Sequence, residues 1–231
     1  MDRSCCGRYI GKERLNEREL VSMNPWLTIP LADYEGHMGS PDVDQSALLS
    51  ELFGAALIRH RPRSLAVLGC AGGNGFDRID PLTTEQIFAI DINPAYTAET
   101  LTRHRSRLPG LRALTMDIQK VALPAVCVDL VHAGLVLEYV DVPGVIPKIA
   151  SMVTPGGAFH AVLQLPSDNM PSVSTTRFTS LQRLTPSMRL VLPDELITLA
   201  TEVNLRFRDQ EFVQSSAGKR FAVLTFERRR S

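Results

Sequence analysis

The residues best suited to chemistry fall in three segments, each directly after a short apolar run. The first is the glycine cluster GCAGGNGF at residues 69–76, and the second is Asp91, 22 positions after Gly69. The third is the pair Asp117 and Ile118. Glycines let a ligand approach backbone N–H groups, a carboxylate accepts both hydroxyls of a ribose, and a short acceptor beside an apolar side chain suits an adenine ring. In this order, the three segments predict a site for an adenosine-containing ligand.

Each segment alone has a structural interpretation that needs no ligand. A glycine cluster after a strand can be a tight turn into a helix, and an aspartate such as Asp91 commonly caps a helix or lies on the surface. The prediction of a ligand site therefore depends on the order of the three segments and on their positions at strand ends.

The elements that must position these residues are five buried strands that alternate with helices or crossover segments. Each strand is a short apolar run bounded by glycine, proline or polar residues, as in a parallel sheet. The predicted strands are residues 65–68, 87–90, 111–116, 128–133 and 158–165. The alternation predicts an α/β fold with a doubly wound, mostly parallel sheet.

Helices and a C-terminal hairpin complete the predicted fold. Apolar residues at helical spacing predict a helix from Pro41 to about His60, and the glycine cluster is expected to open a further short helix. Other predicted helices are residues 94–104, 142–152 and 193–203. Residues 205–213 and 220–226 read as strands joined by the turn SSAG, so an antiparallel pair finishes the sheet.

A dinucleotide-dependent oxidoreductase is one enzyme class that such a sheet could serve. Its fingerprint is GxGxxG, and counting from Gly69 places Ala71 and Asn74 at the second and third glycines. The match fails at two of three positions, which disfavours a nicotinamide cofactor.

From about Tyr34 to Phe226 the sequence resembles the class I S-adenosylmethionine-dependent methyltransferases. LAVLGCAGGNGFDRI is similar to the first motif of that family, IFAIDINP to its acidic motif after the second strand, and LTMDIQ to its adenine-contacting motif. VDLVHAGLVLEYV resembles the fourth strand and the helix after it, and PGGAF the turn before the fifth. The resemblance implies a Rossmann-like sheet of seven strands, with the last inserted antiparallel.

The resemblance also implies S-adenosylmethionine as the cofactor, held across the ends of the first three strands. The segment DYEGHM is similar to a lid in small methyltransferases, which would bring Tyr34 and His37 towards the methionine end. The implied cofactor-binding residues are Tyr34, Gly69, Cys70, Ala71, Gly73, Asp91, Ile92, Asp117, Ile118 and Ala133.

The predicted function is methyl transfer from S-adenosylmethionine to an unidentified, small-molecule acceptor. The donor carries its own leaving group, so no catalytic residue is assigned; His37, His132, Glu138 and Tyr139 are candidate bases by position, each with a structural alternative. The family often has an acid where Val67 stands and a glycine where Ala71 stands. These departures motivate the alternative, a methyltransferase-like scaffold without turnover.

The composition of the chain limits which partners and which cellular location we expect. Lys plus Arg and Asp plus Glu number 25 each, and Ala133-Gly134-Leu135-Val136 stands where a nucleic-acid methyltransferase has an Asn/Asp-Pro-Pro-aromatic motif, so no nucleic acid is expected. The four cysteines show neither a disulfide nor a metal-binding spacing. Without an apolar spanning segment or a signal sequence, we expect a cytoplasmic protein with no membrane partner.

Two domains are predicted along the chain. Residues 1–22 are polar and read as a poorly ordered extension, whereas residues 23–231 form the methyltransferase domain. The change of composition at Met23 suggests that translation could start there.

Overall fold

The computed structural model describes residues 24–121 and 126–230 of the chain. The predicted extension, residues 1–22, and the suggested start at Met23 lie outside the described residues. The predicted division into an extension and a domain therefore stays a prediction.

A seven-stranded sheet forms the centre of the fold. Its strands are β1 (Ser64–Leu68), β2 (Gln86–Asp91), β3 (Leu111–Thr115), β4 (Val128–Gly134), β5 (Val153–Gln164), β6 (Leu205–Gln214) and β7 (Arg220–Arg228), in the spatial order β3-β2-β1-β4-β5-β7-β6. Strands β1 to β5 are parallel, and β7 pairs antiparallel with both β5 and β6. The predicted sheet and its C-terminal hairpin are confirmed, and the strand order reverses between β1 and β4.

In the described part of the chain, five α-helices accompany the sheet: α1 (Leu31–Met38), α2 (Ser46–His60), α3 (Pro94–His104), α4 (Val142–Met152) and α5 (Pro193–Glu202). In α4, apolar residues recur at helical spacing and are fully buried in one hydrophobic cluster with residues of α5. A second cluster, which includes Phe53 of α2, buries the other side chains of β1 and β2. Because successive strand residues point to opposite faces, the two clusters cover both sides of the sheet.

Three local predictions are wrong in detail. No α-helix follows the glycine cluster, because only a single 3-10 turn forms at Phe76–Arg78. Helix α2 begins at Ser46, not at Pro41, because the N–H groups of Val43 and Asp44 both bond the Ser40 carbonyl in a turn. Strand β5 begins five residues earlier than predicted, with an irregularity in its pairing to β4.

Within the two described stretches, none of the helices combines the length and apolarity needed to cross a membrane.

Candidate functional site

A cavity lies at the carboxyl ends of β1, β2 and β4, where the strand order reverses. Seven of the ten predicted cofactor-binding residues line it: Tyr34, Gly69, Ala71, Asp91, Ile92, Asp117 and Ile118. The structure thus brings together residues of the three predicted segments, which are distant in sequence. Doubly wound sheets bind their ligands in this crevice.

Three of the predicted residues are placed elsewhere. Cys70 faces a neighbouring cavity, and its thiol pKa is raised above the usual range because the side chain is buried. Gly73 lines an outer pocket with Arg103. Ala133 is fully buried in β4 between Leu68 and the fifth strand, and the next residue, Gly134, lines the cavity instead.

Asp91 is the charged group at the centre of the cavity wall. Its side-chain Oδ2 accepts the Ala71 N–H and its Oδ1 accepts the Asn93 N–H, each at 2.9 Å. Burial raises the carboxyl pKa, and the backbone donors oppose that shift. Each carboxylate oxygen can accept a further hydrogen bond, so the group is suited to a ligand with adjacent hydroxyls.

The glycine loop is held from the β2 side, although Val67 replaces the expected acid. Gly69 and Cys70 donate their N–H groups to the Ile90 carbonyl, at 2.8 and 3.1 Å. The Thr100 hydroxyl donates to the Ala71 carbonyl at 2.6 Å. With the bond from the Ala71 N–H to Asp91, these contacts hold the loop in place although no acid stands at position 67.

The end of the cavity beyond β3 is mainly apolar. Met116, Ile118 and Val140 line it, and Ile118 is buried. Asp117 accepts the Gln119 N–H at 3.0 Å through Oδ1. A flat apolar ring with polar edges fits such a slot, because the walls bury its faces and the carboxylate accepts from its edge.

An aromatic cluster covers the cavity. Trp26 packs edge-on against Tyr34 and Tyr139, with ring centroids 5.7 and 5.0 Å apart. The Asn93 amide fixes the Trp26 carbonyl at 2.8 Å, and the Tyr96 hydroxyl donates to the Ile29 carbonyl at 3.0 Å. Sequence reasoning did not select Trp26; its position eight residues before Tyr34 was the only signal.

Helix α1, which contains the segment DYEGHM, forms part of the same cover. The Arg103 guanidinium in α3 bonds Glu35 of α1 at 2.5 Å. Tyr34 and His37 lie on α1, and His37 lines a second cavity that shares Trp26, Tyr34, Leu135 and Tyr139 with the first. The two cavities are therefore neighbours that share one wall.

The four candidate bases occupy different surroundings. His132 is stacked on His160 in the sheet core, their Nδ1 atoms 3.0 Å apart, and burial lowers its pKa far below the usual range. His132 also faces the neighbouring cavity beside Cys70. Tyr139 and His37 reach the shared cavities, and the His37 Nδ1 lies 2.9 Å from the Thr176 hydroxyl.

Glu138, the fourth candidate, is fully buried and lines neither of the two shared cavities. Its Oε1 accepts the Gln164 N–H at 2.7 Å, whereas Oε2 has no hydrogen-bond partner within the described stretches of the chain. Burial raises its pKa from the ordinary 4.5 to about 7. Glu138 therefore connects the segment after β4 to the end of β5.

The raised pKa of Glu138 predicts that the free energy of unfolding depends on pH. The folded state holds the Glu138 proton more tightly than the unfolded state does. The stabilisation by this proton is therefore complete below about pH 4.5 and is lost as pH rises through about 7. We expect the unfolding free energy of the wild type, relative to Glu138→Gln, to fall by about 3 kcal/mol over this range. Denaturant titrations at several pH values measure it, and parallel curves for the two proteins would contradict it.

Comparisons with known proteins identify the family and the fold. A family described as a methyltransferase domain matches residues 66–161, which span β1 to β5 and the glycine loop. No curated protein sequence matches the chain. The match and the fold together define a class I methyltransferase domain.

Solved structures of the same fold are numerous. An N-methyltransferase from Bradyrhizobium japonicum, in complex with S-adenosylhomocysteine, is 20% identical, with 92% of this chain and 95% of that chain covered and a TM-score of 0.61. Magnesium protoporphyrin IX methyltransferase from Synechocystis, also with S-adenosylhomocysteine, is 11% identical, with coverages of 92% and 100% and a TM-score of 0.66. The [4+2]-cyclase SpnF is 16% identical, with coverages of 80% and 82% and a TM-score of 0.62.

At these identities the solved structures show the shared fold alone. With the family match, the predicted relationship is confirmed over residues 66–161, which form a methyltransferase domain on the class I S-adenosylmethionine-dependent methyltransferase fold. S-adenosylmethionine is the cofactor of this family.

Proposed function

We propose that this chain binds S-adenosylmethionine and transfers its methyl group to a small-molecule acceptor. The observation that carries this function is the buried Asp91 carboxylate at the strand-order reversal, which has acceptor capacity on both oxygens beside Ala71. Two neighbours of the same fold hold S-adenosylhomocysteine, the demethylated product of that cofactor.

The residues of the first cavity fit this cofactor. Asp91 would accept the ribose hydroxyls, and Met116 and Ile118 would pack on the adenine ring beside Asp117. Gly69 and Ala71 leave room for the chain that carries the methionine end. When bound, the cofactor supplies a sulfonium methyl group.

The protein's own contribution is to align an acceptor and to exclude water. Trp26, Tyr34 and Tyr139 line this cavity and also the second cavity, where an acceptor would lie. Neither His132 nor Glu138 lines either of these two cavities, so of the candidate bases only His37 and Tyr139 remain near an acceptor.

A scaffold without turnover is the second candidate function. The alanine at position 71 has a φ of +46°, a region where glycine is far better tolerated, and Val67 lacks the usual acid. The cyclase neighbour also indicates that chains of this fold are named for reactions other than methyl transfer. A scaffold would bind a partner without converting the cofactor.

The single tryptophan offers a direct test of cofactor binding. Because Trp26 lines the first cavity, S-adenosylhomocysteine should change its fluorescence in a saturable way with a micromolar dissociation constant. Trp26→Phe should lose this signal but still bind in calorimetry. Reduced nicotinamide dinucleotide, the matched control, should cause no saturable change.

Calorimetry with S-adenosylmethionine and S-adenosylhomocysteine then separates the candidates. Binding of both, followed by acceptor-dependent release of S-adenosylhomocysteine, supports the enzyme. Binding without turnover on any acceptor supports the scaffold, and failure of the wild type to bind either compound overturns the proposed cofactor.

A further inference from the structure

The second cavity has an apolar half and a polar half. Val173, Leu181, Leu184 and Met188 form the apolar half. Its polar half consists of His37, Gln45, Gln164 and Lys219. Because four residues line both cavities, the second cavity lies beside the first, and this is where the acceptor of the proposed reaction would bind.

Lys219 is a buried cation in this cavity. It directly precedes β7 and is only 4% exposed. Its ammonium group donates to the Ser172 carbonyl at 2.6 Å and reaches the Gln164 Oε1 at 3.4 Å. Across residues 24–121 and 126–230, no ion pair includes Lys219.

Such an arrangement is costly without an anion. An ammonium group removed from water needs an opposite charge, and neutral oxygens compensate only in part. In agreement, burial lowers the pKa of Lys219 to about 8. The lysine charge also adds to burial in lowering the pKa of His37, so the polar half of the cavity is electropositive.

Gln45 provides a second, independent sign of a missing ligand. This residue, which immediately precedes α2, is 3% exposed, and its buried amide Nε2 has no hydrogen-bond partner among the residues that the structure describes. Buried donors are nearly always paired, so an unpaired one in a polar cavity indicates an absent acceptor. A donor and a cation in one cavity are complementary to the same kind of ligand atom.

We infer that the acceptor is an apolar molecule with an anionic group, a carboxylate or a phosphate, which pairs with Lys219 and accepts from Gln45. The apolar half of the cavity receives the body of the molecule. Because this assignment rests on the proposed function, its test must be separable from the test of cofactor binding.

The experiment compares three eight-carbon probes on the full chain saturated with S-adenosylhomocysteine. Octanoate and octyl phosphate distinguish the two anion classes, and 1-octanol is the neutral control. We expect one or both anions to bind at least about tenfold more tightly than octanol in calorimetry, as a charge-assisted hydrogen bond implies. Equal affinities, or no binding of any probe, would overturn the inference.

Lys219 variants separate charge from a purely structural tether to Ser172. Lys219→Arg keeps the charge and should keep the anion preference. Lys219→Gln keeps donors but not the charge, so the preference should disappear while S-adenosylhomocysteine affinity stays within about twofold of wild type. A preference that survives Lys219→Gln would refute the role of the charge.

Gln45→Glu keeps the test valid if Lys219→Gln does not fold. It adds a carboxylate to the same cavity and should also remove the anion preference; a retained preference would oppose the inference.

If the wild type fails to bind S-adenosylhomocysteine, the proposed function fails. The probes are then titrated into the protein alone, where the anion preference still decides the inference.

Discussion

Replacing Asp91 with alanine is expected to lower the affinity for S-adenosylhomocysteine by at least about 100-fold. The carboxylate is the charged acceptor proposed for both ribose hydroxyls, and hydrogen bonds to charged groups contribute roughly 1.5–3 kcal/mol each. The variant also frees the Ala71 N–H, which lines the same cavity. Calorimetry and Trp26 fluorescence measure the change independently.

Asp129 offers a matched control for this substitution. Its carboxylate also accepts two backbone N–H groups, from Arg63 at 2.9 Å and from Ser64 at 3.0 Å, at the opposite end of the sheet. Asp129→Ala should therefore cost stability without weakening cofactor binding. A similar loss of affinity in both variants would mean that Asp91 acts only through the fold, and an unchanged affinity in Asp91→Ala would refute its assignment.

Asp91 also shows what the sequence predicts well. Its strand is a short apolar run, and a residue that follows such a run lies at the carboxyl edge of a parallel sheet. The same reasoning applies to Gly69 and Asp117, so one edge of the cavity follows from local patterns. The order of the strands does not follow from these patterns, because the rules on crossover connections only limit the orders that are allowed.

Trp26 and Lys219 could not be predicted in this way. The Trp26 carbonyl meets the Asn93 amide across 67 positions, and the Lys219 ammonium meets the Ser172 carbonyl across 47. No periodicity or motif encodes such contacts, because they arise only when distant segments pack together. Lys219 in particular lies in a segment whose composition indicates a hairpin turn and nothing more.

The missing helix after β1 has a local cause that glycine composition alone does not reveal. Ala71, Gly73 and Gly75 have φ values of +46°, +84° and +79°. Left-handed residues interrupt a right-handed helix, so the chain winds through turns until Phe76. Glycines predict freedom of the backbone, but not which conformation the tertiary contacts select.

Replacing Gly110 with alanine is expected to reduce stability by about 3 kcal/mol and the melting temperature by roughly 10 °C. A Cβ atom at this position would lie 1.8 Å from the carbonyl oxygen of Glu85. The oxygen belongs to the backbone, Glu85 and Gly110 directly precede β2 and β3, and the Gly110 carbonyl accepts the Ile87 N–H at 3.1 Å. Relief of the clash therefore requires separation of the two strands.

Gly144→Ala is the control, and it is expected to raise stability instead of lowering it. Gly144 is exposed in the first turn of α4, and a Cβ there meets only the side-chain carboxylate of Asp141, which can move away. Alanine should stabilise this helix by about 0.5–1 kcal/mol. Thermal unfolding should show a lower melting temperature for Gly110→Ala and a higher one for Gly144→Ala. An unchanged melting temperature in Gly110→Ala would show that β2 and β3 adjust freely.

Because Gly110 lies at the amino ends of the strands, folded Gly110→Ala should still bind S-adenosylhomocysteine, whereas Asp91→Ala should fold but fail to bind.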